Sequence, residues 1–461
     1  MGFVAACLGA AATVAWLNRH HLAQKGVYDT HYRALARYFE GGEAPAVLSY
    51  PMWGYPALLA LLPAPEVTTI VLQVLLAVAL ASVVYATVAP MVRSRRLAQV
   101  LCVAALPLWS IASIKLADPW SVMLGAFGVF ALARALASAS ARWALASGLC
   151  FGAALNFRSD WLLVLPLLPA VLALLAPRLA WARRRELLLA VAVALVAMVP
   201  WGLFRMAHGA PFGLSSSNGG MVLYNALGFA GNRWGIVGDD AYRIAEVREA
   251  LGPDVPAHSV EGDAWLRDRA IALIRAHPEE YARKVVHDFV ASVALGSYGI
   301  ETEPLLQGDD ALRFEVMKEQ LKIRLGMAPN TLDIARFRRA GVWDESLSLG
   351  SLPARVWLAA GLRMANAAGT SAFLVAVLLA SAWIVLVDRR WLARPEVVVL
   401  LAGLLASWGL VCAFWYQPRH TNVLYVLGAP LVVIAAEGVR VRLAVRRRRR
   451  REAQRLIRSF S

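Results

Sequence analysis

The sequence predicts an all-α polytopic membrane protein with about ten transmembrane helices and a small helical domain on its outer face. Three observations carry this. Hydrophobic residues make up 59% of the 461 residues and charged residues 17%, with a mean hydropathy of +0.55, whereas soluble domains carry about 25% charged side chains. Apolar runs recur at the roughly 20-residue length that crosses about 30 Å of hydrocarbon. Arginines gather in every second connection between those runs, as cytoplasmic loops require.

The runs are 2–17, 66–90, 97–115, 119–137, 144–157, 160–176, 186–204, 366–387, 396–415 and 421–437. No basic n-region precedes the first, so it reads as a retained helix rather than a secretory signal. The fifth and sixth are parted only by "NFRSD"; both are apolar all round, so periodicity cannot say whether they are two helices or one kinked helix. "GYPALLALLP" at 54–63 is too short to span and reads as an interfacial or re-entrant piece. With the N-terminus inside, the inner connections are "MVRSRR", Arg134 to Arg142, "PRLAWARRRE", "DRRWLARP" and the tail from Arg440. This expectation places both termini in the cytoplasm. Heavy use of Ala and Arg points to a GC-rich bacterium and hence to a bacterial inner membrane.

The chain then divides into a transmembrane module over 1–204, with its first outer loop at 18–65, an outer helical domain over 205–355, C-terminal transmembrane helices over 356–438 and a basic cytoplasmic tail over 439–461. In the outer domain, "DAWLRDRAIALIRAHPEEYARKVVHDFVASVAL" carries two apolar helical faces separated by "HPEE". There Pro278 suits a first helical turn, and Glu279 and Glu280 favour a helix N-terminus. The formal net charge is +16. Its arginines lie between and after the apolar runs, so membrane topology explains them and nucleic acid is not an expected partner. "RRRRRR" at 446–451 follows the last span, where contact with anionic membrane lipids is the simpler account. Cys7, Cys102, Cys150 and Cys412 all sit in apolar runs without metal-ligand spacing, and read as small core residues.

Five polar features fall on the outer side of this topology. They are "GVYDTHYRALARYFEGGEAP" at 26–45, "IKLADPW" at 114–120, "NFRSDW" at 156–161, the long outer segment and "WYQPRHTN" at 415–422. If these loops converge, they form a site. The residues themselves leave alternatives open. Asp29 fits the N-cap of a helix starting near Thr30, and Asp118 before Pro119 fits an N-cap with proline at the first helical position. Arg158, Arg205, Arg419 and Lys115 fit cations that snorkel to lipid headgroups. "GLSSSNGGMVLYN" at 213–225 fits a surface turn, with Gly219 and Gly220 permitting close backbone approach.

An ordered set of segments adds to this reading: an Asp in the first outer loop followed by "YRALARYFEGG", then "YPMWGYPALLALL", "FRSDWLLVLPLL", "PWGLFRMAHGAPFGLSSSNGGMVLYNALG", "AIALIRAHPEEYARK" and "RHTNVLYVLGAPLVVIAAEG". In that order, over most of the chain, they resemble the GT-C superfamily of membrane glycosyltransferases. The resemblance is to the bacterial relatives of protein O-mannosyltransferases and of the aminoarabinose transferase that modifies lipid A. It implies an inverting transfer of sugar from a polyprenyl-phosphate donor to a hydroxyl acceptor, which is a glycolipid, a glycan or a protein, at the outer face of the membrane.

On that resemblance Asp29 takes the place of the catalytic base. A carboxylate that accepts the acceptor's proton contributes about 10²- to 10⁴-fold. Asp118 matches a second acidic position that orients acceptor or helps to hold a divalent cation. The superfamily includes both metal-dependent and metal-independent members, so a cation stays open and no other cofactor is implied. Arg158, Arg205 and Arg419, with Lys115, become ligands of the donor phosphate, whose charge grows in the transition state. Arginine suits this because its fork donates two parallel hydrogen bonds. Tyr32, Tyr55, Asn218 and His420 complete the candidate substrate contacts. The competing reading is a lipid or glycolipid transporter, a flippase, or a non-catalytic membrane assembly protein. Transporters place charged or broken segments near the bilayer midplane, often within internal repeats; here the polar residues crowd one boundary and no repeat is visible.

Overall fold

A computed structural model describes residues 2–17, 27–45, 47, 52–103, 117–229, 231–294, a few positions between 313 and 343, 353–414 and 421–460. The first half of the chain forms α1 (Gly2–Leu17), α2 (Val27–Phe39), α3 (Gly54–Leu61), α4 (Pro65–Val88), α5 (Arg95–Val103), α6 (Ala117–Ser138), α7 (Ala141–Phe157), α8 (Trp161–Leu175) and α9 (Pro177–Ala182). It continues as α10 (Arg184–Val196), α11 (Val199–Ala207), α12 (Gly219–Ala226), α13 (Asp240–Leu251), α14 (Val260–Ala276) and α15 (Pro278–Ala294). The last helices are α16 (Ala354–Ala382), α17 (Pro395–Ala413) and α18 (Asn422–Phe460). No strand occurs among the described residues.

Among those residues six stretches are long and apolar enough to cross a membrane: Val67–Met91, Ala117–Ser138, Arg184–Ala207, Ala354–Val387, Pro395–Ala413 and Asn422–Gln454. Gly2–Val14 and Trp161–Leu175 are apolar but shorter. The larger number read from the sequence counts these short helices together with 97–115, of which 104–115 lies outside the described residues, and the 17-residue α7. α7 and α8 are separate helices, because Arg158 is extended (φ −151°, ψ 135°) and interrupts the ladder between them. α18 runs unbroken from the last span through Arg446–Arg451.

Small residues set the tight packing of this bundle, as close helix approach in membranes demands. A Cβ on Gly128 would meet the ring of Phe151, and one on Gly148 would lie 2.6 Å from the Ala190 carbonyl oxygen. Thus α6, α7 and α10 lie against one another at near-backbone distance, with Ser147 donating to the Gly128 carbonyl across 2.8 Å. α17 is buried over most of its surface between Val397 and Cys412, with Leu405 exposed, which fits an apolar sequence with no polar face.

Between α11 and α16, helices α12 to α15 build a smaller unit around Met221, Tyr224, Leu227, Val247, Leu266 and Ala270. The "HPEE" junction behaves as expected: α14 ends at Ala276, and α15 starts at Pro278 with Glu279 and Glu280 in its first turn. Asp263 of α14 accepts from the backbone N–H groups of Gly220 (2.7 Å) and Met221 (3.3 Å), so it satisfies two orphan donors of the α12 N-terminus. One face of α15 docks on the bundle. The fully buried Lys284 donates to the carbonyls of Cys412 (2.9 Å), Ala413 (3.0 Å) and Phe414 (2.8 Å) at the C-terminal end of α17. Tyr281 donates to the Ala413 carbonyl (2.5 Å), and Trp408 donates to the Ser292 hydroxyl (2.8 Å). A cation placed on unsatisfied C-terminal carbonyls is favourable both by hydrogen bonding and by the helix dipole.

Candidate functional site

The local structure around "ADPW" and "NFRSDW" determines where their charges meet. Trp120 in the first turns of α6 stacks on Phe157 at the end of α7, ring centroids 5.4 Å apart and nearly parallel. One turn deeper, Trp161 fills the space left by Gly125, where a Cβ would fall 1.9 Å from the indole. These contacts bring the α7–α8 connection onto the start of α6. Arg158 Nη1 donates to Asp118 Oδ1 at 2.5 Å, while Nε and Nη2 reach Asp160 Oδ2 at 2.8 and 2.7 Å. The Asp118 side chain is only 6% exposed, against 47% for Asp160. Burial works against the Arg158 charge, but Asp118, Asp160 and Tyr32 more than offset it and hold its pKa above the ordinary value.

A cavity of about 380 Å³ opens at this pair. Its polar wall comprises Tyr32, Asp118, Ser121, Arg158, Asp160, the 215–219 turn and Asp240; its apolar wall comprises Leu162, Leu163, Val164, Leu410, Val411 and Val423. The bundle helices that contribute do so from one end: the starts of α6, α8 and α18 and the ends of α7 and α17. Leu163 is 38% exposed and carries the apolar wall to the bundle surface. Two polar atoms in the lining, Asn218 Oδ1 and the Ser407 hydroxyl, are buried without a hydrogen-bond partner. Such groups cost free energy unless something supplies the missing bond.

α2 is fixed at the rim of this cavity by its own side chains. Tyr38 and His208 Nε2 share a 2.6 Å hydrogen bond, and Phe39 packs on Phe204 with centroids 5.8 Å apart. Tyr32 meets Tyr55 edge to face at 5.2 Å, and His31 lies 6.1 Å from His258 of the smaller unit. Burial pushes the His258 pKa down, with Asp240 opposing and His31 reinforcing the shift; burial lowers His31 as well.

Of the residues singled out by sequence, the structure brings Tyr32, Asp118, Arg158 and Asn218 together at one cavity. Asp118 does not end in the capping role that "ADPW" allows; it lies in the first turn of α6 and its carboxylate turns to Arg158. α2 begins at Val27, so Asp29 lies in its first turn rather than ahead of it. The Asp29 side chain, Lys115, Arg419 and His420 lie outside the described residues. Tyr55 is buried behind Tyr32. Arg205 is buried beside the cavity rather than in its lining and donates to the Ser215 carbonyl (2.5 Å), which holds the 215–219 turn in place. Asp160, Asp240 and Ser407 were not singled out by the sequence. Asp160 stands two residues from Arg158 in "FRSDW" and was legible as its partner, whereas nothing local marks Asp240 or Ser407. Among the described residues no group of three or more His, Cys, Asp or Glu side chains is arranged to hold a metal ion.

Fold and site together define a class: an all-helical membrane protein with a half-polar, half-apolar cavity at one end of its bundle. Beyond the class, no family model, no curated protein and no solved structure matches the chain.

Proposed function

We propose that the chain is an inverting glycosyltransferase that moves a sugar from a polyprenyl-phosphate donor to a hydroxyl acceptor at the outer face of a bacterial inner membrane. The observation that supports this best is the composition of the cavity. Carboxylates and an arginine stand at one wall and Leu and Val side chains at the other, the last of them reaching the bundle surface. That arrangement suits a ligand with a charged, hydroxyl-rich head and a hydrocarbon tail.

In this reading the acceptor oxygen attacks the anomeric carbon while the bond to the phosphate oxygen breaks, and its electron pair leaves with the phosphate. Asp29 takes the acceptor's proton. Arg158 donates to the phosphate oxygens as their charge grows. Lys115 and Arg419 are the proposed further cations, while Arg205 serves the site by holding the 215–219 turn. Tyr32 and Asn218 contact the sugar or the acceptor, with Tyr55 supporting Tyr32 from behind and His420 beside Arg419. Acceptor choice rests on the surrounding loops and is left to experiment.

The test is turnover of a lipid-linked sugar by the purified protein in lipid nanodiscs, followed as release of polyprenyl phosphate. Turnover that falls at least about 10²-fold in Asp29→Asn supports the base assignment, and unchanged turnover removes it. Movement of the lipid across a bilayer without sugar release would replace this reading with a transporter.

A further inference from the structure

α15 changes character halfway along its 17 residues. Ahead of Lys284 its exposed side carries Glu279 and Arg283, whereas the exposed residues after Lys284 are Val286, Phe289, Val290 and Ala294, all of them apolar. The switch coincides with a change in depth. Lys284 sits on the last carbonyls of α17, from Cys412 to Phe414, but Ser292 accepts from the indole N–H of Trp408, and Phe289 packs on the same ring with centroids 5.4 Å apart. Trp408 stands five residues before the end of α17 at Ala413, which is about 7–8 Å along the helix axis. α15 therefore descends beside α17, from the cavity end of the bundle towards its middle. At Ala294 it meets α16, where the Ser371 hydroxyl donates to the Ala294 carbonyl at 2.8 Å. Trp408 lies inside the apolar run 396–415 and Ser371 inside the run 366–387, so two independent neighbours put the second half of α15 at the depth of spanning segments.

We infer that α15 is a half-inserted helix whose second half lies in the leaflet on the cavity side, with Val286, Phe289 and Val290 against lipid acyl chains. Continuity with α16 identifies the occupant of this face. Ser371, Val375 and Leu379 follow one another at four-residue spacing on one side of α16, and the exposed Val375 and Leu379 continue the apolar strip below Ala294 along a helix long and apolar enough to span. The charges on the inserted half are consistent with hydrocarbon, where ionised side chains turn inward and pair. Lys284 and Asp288 are buried against each other and the end of α17, and the half-buried His287 shares a 3.0 Å hydrogen bond with Asp288. The smaller unit is thus anchored in the leaflet beside the span that supplies Leu410 and Val411 to the cavity. This inference does not depend on what the cavity binds.

The test attaches the fluorophore NBD to one engineered cysteine at a time, with Cys7, Cys102, Cys150 and Cys412 replaced by Ala. The sites are Ala282→Cys and Val290→Cys on α15 and Glu249→Cys on the exposed side of α13. Each protein is reconstituted in phosphatidylcholine–phosphatidylglycerol nanodiscs that contain nitroxide lipids. Emission at Val290 should be blue-shifted and lose most intensity to a nitroxide on the upper acyl chain. Emission at Ala282 should lose most to a headgroup nitroxide, and emission at Glu249 only to aqueous iodide.

Iodide quenching at Val290 as strong as at Glu249 overturns insertion and places the helix in water. Equal depths at Ala282 and Val290 overturn it in favour of a helix lying flat at the interface. Protection of Val290 from both lipid nitroxides and iodide overturns lipid as the occupant and points to a second protein chain. Should the cysteine-free background not fold, a lipid-partitioning diazirine applied to the unaltered protein and mapped by mass spectrometry gives the same answer. It should label 285–294 as heavily as 372–382 of α16 and leave α13 unlabelled; labelling of α16 without 285–294 overturns the inference.

Discussion

Two buried ion pairs in this protein use the same kind of chemistry to different ends. Lys284–Asp288 joins the smaller helical unit to the end of α17, and Asp118–Arg158 joins α6 to the α7–α8 connection. In the first, the ammonium is wholly buried and surrounded by Asp288 and three backbone carbonyls. In the second, the guanidinium opens on a cavity and shares its donors between two carboxylates of very different exposure. A pair whose donors are all taken by the fold acts as a fastener. A pair that faces a cavity can also meet a ligand.

The comparison is broken most sharply at Lys284. Lys284→Met removes the ammonium from Asp288 and from the carbonyls of Cys412, Ala413 and Phe414, of which Ala413 keeps the Tyr281 hydroxyl as a donor, and should cost about 3–5 kcal/mol. Thermal unfolding in detergent measures it. Replacing Asp288 as well, with Leu, should restore only part of the loss, because the carbonyls of Cys412 and Phe414 have still lost the ammonium. Full recovery would show that the carbonyl contacts contribute little and that the fastener is a simple charge pair.

A smaller effect is expected inside the smaller unit, near the cavity. At Gly220 a Cβ would sit 1.9 Å from the Asp263 carbonyl oxygen, so Gly220→Ala must separate α12 from α14 and weaken the two bonds that Asp263 accepts there. Overpacking of this kind costs about 1–3 kcal/mol. Because the same turn carries Asn218 into the cavity, ligand binding should weaken along with stability; a loss of stability alone would uncouple turn and cavity.

Arg158→Leu should destabilise less than Lys284→Met, by about 1–3 kcal/mol, even though it too takes a cation from a buried carboxylate. Asp118 faces a cavity whose polar lining can hydrate it, whereas Asp288 lies on the face of α15 that docks on the end of α17. Equal losses at the two positions would mean that the cavity does not relieve Asp118, and the distinction between fastener and cavity-facing pair would fail.

How much of this was legible beforehand depends on the range of the interaction. The membrane class, the α14–α15 junction at "HPEE" and the shared outer face of the segments that carry Tyr32, Asp118, Arg158 and Asn218 follow from hydropathy, turn chemistry and loop charge, all local properties, whereas the choice of those four residues drew on the resemblance. The number of spans is less legible. α7 and α8 are short and parted by an extended Arg158, and an apolar run records burial without recording its length across a bilayer. Lys284 carries no signal at all in sequence. In "YARKVVHDF" it reads as one more charge on a surface helix, and only the end of α17, more than 120 residues away, makes it a buried cap. The same limit hides Asp240 and Ser407, whose positions depend on packing between distant helices.

The smallest effect is a pH dependence at the contact between α2 and the smaller unit. His31 and His258 stand edge to face at 6.1 Å, and burial holds both pKa values below the ordinary 6.5, with Asp240 opposing the shift at His258 and His31 adding to it. Above pH 6.5 both rings are neutral whether the chain is folded or unfolded, and this contact contributes in full. As the pH falls through 6.5 the unfolded chain takes up protons first, so stability declines until the depressed folded values are reached. Unfolding temperatures measured from pH 7.5 down to 5.5 should therefore fall less steeply in His258→Asn than in the unaltered protein. Hydrogen exchange in α2 should rise over the same interval, since protonation places two like charges across the contact that fixes this helix. An identical slope in the variant would mean that the contact is solvated enough to accept both protons, and that α2 is held at the rim by its other contacts, among them Tyr38–His208, Phe39–Phe204 and Tyr32–Tyr55.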